Sequence, residues 1–376
     1  MKPGRPATSS PPSRVWRRQA VELASALVRQ TRPYAPLLRV LLLIVAACLW
    51  VVLFFLRQPA DGLGTDFYPL YRAGRALLAG EDPYGPAITA ELARTWHVPY
   101  APAGFAYPLP AVVGVWPVLL LPLPLAILVW LAAGTAGAMS AIRLRSDWRG
   151  LLFLPFFFMP LHGAVIMKQA TLVWFALIVL LLFAMRRNSL WLVGLCVALL
   201  PAKPQVGILF ALAGLVWAWR QQRRALLWIV VWGALIWGGS FLLEPGWVGD
   251  WLASVARYNR IVYTASLLPW GLVLLVVTWR LPWYARLGAA QAVLFPVTDV
   301  YSALPLLLTW IGIGGPLALI GSSISWLGVL VGLPNTIVTF WATIMLPVLC
   351  CAWWRLYESL RTRPARDVVR RPEAAA

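Results

Sequence analysis

Apolar runs close to the roughly 20 residues that cross a bilayer recur from about residue 37 to 354, and no other feature restricts the fold so severely. Hydrocarbon offers a backbone no hydrogen-bond partner, so such runs must close their amide bonds internally, as helices or as a sealed barrel. The two-residue alternation of a barrel strand is absent. With 61% hydrophobic and 12% charged residues and a mean hydropathy of +0.76, a soluble protein is excluded. The expected fold class is all-α, a polytopic transmembrane bundle of about 11–13 helices. Its parts would be a basic tail over 1–36, a membrane domain over 37–354 with an outer loop at 57–106, and a second basic tail over 355–376.

A net charge of +19 would suggest nucleic acid in a soluble chain. Here much of the arginine sits in tails and short inter-helix loops, as the positive-inside rule expects, so anionic membrane lipids are the expected counter-charge and nucleic acid is not. Both tails are then cytoplasmic, the 57–106 loop is extracytoplasmic, and the protein is a multi-pass cell-membrane protein. The basic region before the first span is too long for a cleaved signal peptide. Cys48, Cys196, Cys350 and Cys351 lie in apolar runs and form neither a disulfide framework nor a metal-ligand pattern.

The outer loop carries the stretch Gly64-Thr65-Asp66-Phe67-Tyr68, continuing to Gly80-Glu81-Asp82-Pro83-Tyr84. With Asp61 it holds four of the chain's 13 acidic residues. A solvated loop is the simple reading, and a catalytic surface loop with Asp66 as base is the other. Tyr68–Ala79 is the best helix candidate, which would put Tyr68, Tyr71, Arg72 and Arg75 near one face. Asp66 would precede it, where a carboxylate can also serve merely as a cap.

Farther along, the run from Tyr107 to Ile142 has a break at Pro122–Pro124, leaving one or two crossings open. Pro155 and Pro160 predict a broken or shallow helix over 151–165. Arg186-Arg187 and Arg220–Arg224 read as cytoplasmic. By parity, Met167-Lys168-Gln169 and Pro201–Gln205 then turn on the same face as Asp66. A second outer loop, 244–266, carries Asp250, Arg257, Tyr258, Asn259 and Arg260. It reads first as an amphipathic surface helix, and otherwise as a binder of sugar hydroxyls or phosphate. Thr298-Asp299-Val300-Tyr301 falls on this side too. Phosphate-loop, paired-histidine and nucleophile-elbow signatures are missing. Of the two histidines, His97 reads as a loop residue and His162 as a helix-end residue.

Thr65-Asp66-Phe67-Tyr68, Gly80-Glu81-Asp82-Pro83-Tyr84, Tyr107-Pro108-Leu109-Pro110 and Lys203-Pro204-Gln205 together resemble the polyprenyl-phosphate-sugar-dependent glycosyltransferases of family 87. The resemblance runs in order over roughly the first 220 residues and is weaker beyond. It implies the C-type integral-membrane glycosyltransferase fold, an α-1,2-mannosyltransferase-like activity and inversion with Asp66 as base. Relatives often have Gly-Gln where this chain has Lys168-Gln169, and a histidine near Asp299.

The chemistry is consistent with that resemblance. A lipid-phosphate-linked sugar already carries its leaving group, so a carboxylate must take the acceptor proton and cations must meet the phosphate. Asp66 is the expected base. Tyr68, Arg72, Asp82, Tyr84, Lys168, Gln169, Lys203, Gln205 and Asp299 are the expected donor-phosphate and substrate residues. The partners would be a polyprenyl-phosphate-linked hexose, mannose by resemblance, and a glycan or glycolipid acceptor. No cofactor is expected. Some relatives of the fold use a divalent metal, but no ligand cluster points to one here. The competing classes are a transporter or lipid flippase and a structural membrane protein. A transporter calls for ionisable groups along mid-span, whereas most carboxylates here sit at helix ends.

Overall fold

The computed structural model describes residues 35–56, 65–95, 101–262, 264–333 and 336–361. The distal parts of both basic tails, His97 and residues 57–64 lie outside them. The chain divides at Val51 into two units. The described part of the first belongs to the apolar helix Ala35–Leu56, and all that follows concerns the second.

Among the described residues the structure is helical, with one isolated bridge between Ala265 and Val297, so the all-α class holds. Three helical stretches among the described residues are long and apolar enough to cross a membrane: Leu123–Leu144, Arg224–Leu243 and Ile337–Arg361. A fourth is a pair, Trp148–Phe157 and Met159–Ile166, bent by 55°. This is the broken helix that Pro155 and Pro160 predict, since proline removes an amide donor and crowds the preceding turn. Five further apolar helices span 10–17 residues, so the runs counted from the sequence are resolved into unequal pieces. Leu128, Leu227, Val230, Leu242, Val276 and Val338 are more than 60% exposed, a pattern that suits lipid and not water.

The apolar run from Tyr107 to Ile142 breaks at Pro122, as its prolines suggest. The run divides into Leu109–Leu119 and Leu123–Ser140. At 1.5 Å per residue the first reaches only about 17 Å, short of the ~30 Å hydrocarbon core.

Near the site, three elements carry the polar turns. Tyr68–Leu78 is helical as expected and packs Leu70, Ala73 and Ala76 inward. Leu190–Leu199 ends in a tight turn over Leu200–Ala202, and Pro204–Gln221 restarts the chain after Lys203. The break is braced from another helix: Gln291 Nε2 donates to the Pro204 carbonyl at 3.0 Å, and Leu209 N donates to Gln291 Oε1 at 3.0 Å. A single buried amide thus bonds two backbone groups in the first turns of the restarted helix.

Candidate active site

The Asp66 carboxylate is enclosed by the protein. It lies in the one-turn helix Thr65–Phe67 and is 4% exposed. The N-cap of the helix that follows is Phe67, which makes no side-chain cap hydrogen bond. Asp66 Oδ2 accepts from Gln169 Nε2 at 2.6 Å, across 103 positions of sequence. The backbones join as well: Asp66 N donates to the Met167 carbonyl at 3.1 Å, and the Thr65 hydroxyl donates to the same oxygen. Trp130 Nε1 holds the next carbonyl, that of Lys168, at 3.2 Å. Thr65 and Lys168 both take left-handed backbone angles, φ 39° and 49°. Two such non-glycine residues side by side are a local cost that tends to gather at functional sites.

Gln169 continues the network. Its Oε1 accepts from Lys203 Nζ at 3.0 Å, from the Tyr107 hydroxyl at 3.1 Å and from Thr171 N at 3.4 Å. The amide's orientation is dictated by its neighbours. Turned over, its oxygen would face a carboxylate and its NH₂ an ammonium. Lys203 Nζ also lies 4.9 Å from the Tyr107 ring centroid, in cation–π contact.

These groups open onto a cavity of about 360 Å³. Its polar lining includes Asp66, Gln169, Lys203, Gln205, Tyr258 and Asn259. Three sequence-distant polar turns, around residues 66, 169 and 203, therefore meet in one place. The helix Trp247–Ile261 closes a side of the cavity through Trp251, Val255, Tyr258 and Asn259. It is amphipathic, as the first reading of loop 244–266 expects, and Asp250, Arg257 and Arg260 lie off the cavity lining. Trp251 Nε1 donates to Ala106 O at 3.1 Å and ties this helix to the turn ahead of Tyr107. The bridge from Ala265 to Val297 fixes the segment that adds Phe295, Thr298, Tyr301 and Ser302.

Other expected site residues are placed differently. Arg72 donates to Glu91 Oε1 at 2.7 Å and to Glu81 Oε2 at 3.1 Å, and it does not line the cavity. Asp82 Oδ1 accepts from Tyr84 N at 2.8 Å, and Tyr84 donates to Tyr107 O at 2.8 Å. The Gly80–Tyr84 motif thus steadies Tyr107 from behind. Tyr68 begins its helix outside the cavity lining. Lys168 is buried, with Nζ 3.4 Å from Ile166 O, and it too is off the lining. Asp299 caps the short helix Val300–Ala303 in a box with Ser302. His162 is fully buried against Trp326. Sequence reasoning does not single out Tyr107, Trp251 or Gln291 as functional residues. The signals available are an aromatic at the head of Tyr-Pro-Leu-Pro and a lone amide in an apolar helix.

Burial lowers Lys203, in its turn between helices, to about 8, with Asp66 pulling the other way. Lys168 is lowered by the same cause against the same carboxylate. Burial, reinforced by Asp66, raises Tyr107 well above its ordinary value and Tyr258 to about 12, so both hydroxyls stay protonated. Among the described residues, no three His, Cys, Asp or Glu side chains come together as a metal site.

Fold and site together define a helical membrane protein with a buried carboxylate, amide and ammonium on one cavity. Residues 105–312 match glycosyltransferase family 87, more than half of the chain. The chain belongs to that family and is a membrane glycosyltransferase. No curated protein and no solved structure matches it. The matched stretch extends past the 220 residues that carry the resemblance in sequence, and it begins after Asp66. The 2.6 Å bond from Gln169 joins that aspartate to the matched region.

Proposed function

We propose that this cavity transfers a hexose, mannose by family resemblance, from a polyprenyl-phosphate donor to a hydroxyl of a glycan or glycolipid, with inversion. The observation that carries the reading is the meeting of Asp66, Gln169 and Lys203 within hydrogen-bond distances on one cavity. Asp66 accepts the proton of the acceptor hydroxyl as its oxygen bonds to the anomeric carbon. The bond from that carbon to the phosphate oxygen breaks, and its electron pair leaves on the phosphate. Lys203, a compact point charge, meets the negative charge that develops there. Gln205 and Asn259 are placed to bond sugar hydroxyls. The lipid chain keeps the donor in the membrane, so no nucleotide-binding domain is needed. The positive-inside argument puts the cavity on the extracytoplasmic face.

The test uses purified protein, radiolabelled polyprenyl-phosphate hexoses and a membrane glycan and lipid extract as acceptor. Lys203→Met is expected to raise the donor KM and depress kcat, and Lys203→Arg to restore only part of the loss. Wild-type donor use by a folded Lys203→Met variant would remove the phosphate role.

A further inference from the structure

We propose that Gln169 is a positioning residue whose neutral amide holds the Asp66 carboxylate and the Lys203 ammonium apart while aligning both on the cavity. The inference rests on the transferase reading above and adds a requirement to it. A base and a phosphate clamp of opposite charge, placed in one poorly hydrated cavity, attract each other strongly. Joined directly, the carboxylate would be a weaker base and the ammonium a clamp already occupied.

An amide between them prevents this. Its Nε2 donates to Asp66 at 2.6 Å and its Oε1 accepts from Lys203 at 3.0 Å. A side-chain amide offers a carboxylate a donor and an ammonium an acceptor on one uncharged planar group. Asn is shorter by a methylene and cannot span the same gap. Gln169 is itself held: it is 5% exposed, and Tyr107 and Thr171 add two donors to its oxygen. Trp130 and the left-handed turn at Lys168 fix the backbone beside it. The titratable groups acting on the network are Asp66, Lys168, Lys203, Tyr107 and Tyr258, with Asp299 acting on Tyr258.

The experiment measures kcat, donor KM and the pH dependence of kcat/KM for Gln169→Leu and the isosteric Gln169→Glu, with the hexose donor the wild type uses. In the wild type the alkaline limb should fall near pH 8, where Lys203 loses its proton. In both variants a negative neighbour faces the ammonium directly. In Gln169→Leu it is Asp66, after the two charges collapse together, and in Gln169→Glu it is the pair of carboxyl groups, which at 2.6 Å share one proton and keep one negative charge. The limb should therefore move upward while kcat drops by about tenfold or more, a part of the 10²–10⁴-fold typical of a base. A merely structural glutamine would lower the melting temperature and leave the limb in place. A limb that stays near pH 8 in both variants, or kcat within about twofold of wild type, overturns the proposal. Asp66→Asn, run in parallel, separates the two failures. If that variant transfers sugar normally, the transferase reading of the site fails. If it is inactive while both Gln169 variants behave as wild type, only the role of Gln169 fails.

Discussion

Lys168 sits at φ 49°, where relatives of the family often place glycine. The left-handed region costs a non-glycine residue about 1–2 kcal/mol, and glycine adds about 0.5–1 kcal/mol of unfolded-state entropy. Lys168→Gly should therefore stabilise the protein slightly, by less than about 1 kcal/mol, as read by thermal melting in detergent. Because Lys168 is off the cavity lining, the same substitution should cost less transfer activity than Lys203→Met. A larger loss at Lys168 would make it the principal clamp. The place of Arg72 in the outer loop suggests a phosphate ligand, yet Glu81 and Glu91 hold it. Sequence spacing shows which charges share a helix face, but not that two glutamates farther along will occupy one of them. Arg72→Met should change stability by about 1 kcal/mol or less and leave donor KM near wild type. A sharp rise in donor KM would restore the clamp. Residues 66, 169 and 203 are legible because polar groups at helix ends are conspicuous in so apolar a chain. Tyr107 is not, since an aromatic at a membrane interface is ordinary.

The elements around the cavity are short helices stopped by proline, and proline is readable. The breaks at Pro122, Pro155 and Pro204 follow from the missing amide hydrogen and the crowded preceding turn. What braces a break is a matter of tertiary packing. The Pro204 break depends on Gln291, from a helix more than 80 positions away, which pairs with both Pro204 O and Leu209 N. Gln291→Leu would remove both hydrogen bonds from the start of this helix, a destabilisation of about 1–3 kcal/mol. Lys203 stands directly before the restarted helix, so donor KM should rise as well. A variant with unchanged melting and unchanged KM would show that water or another side chain replaces the amide. The helix Trp247–Ile261 is legible as amphipathic, but which surface it covers is not, because periodicity carries no address.

For the whole molecule, the membrane class follows from composition and run length, and the meeting of three polar turns follows from parity. The division of the runs into full spans, bent pairs and short helices does not, since hydropathy scores a short apolar helix and half of a span alike. The orientation can be checked by impermeant thiol labelling in a cysteine-free background. Ala90→Cys, exposed beside the site, should label from outside, and Arg187→Cys only after the membrane is opened. The reverse pattern would place the cavity on the cytoplasmic face. The central claim is that Asp66 is the base of a sugar transfer from a lipid-phosphate donor. Its most direct test is a single-turnover assay of Asp66→Asn against wild type, with polyprenyl-phosphate hexose bound in advance. The variant should melt as wild type does and still bind the donor, but transfer at least about 10²-fold more slowly. A folded Asp66→Asn protein that transfers the sugar at the wild-type rate would contradict that claim.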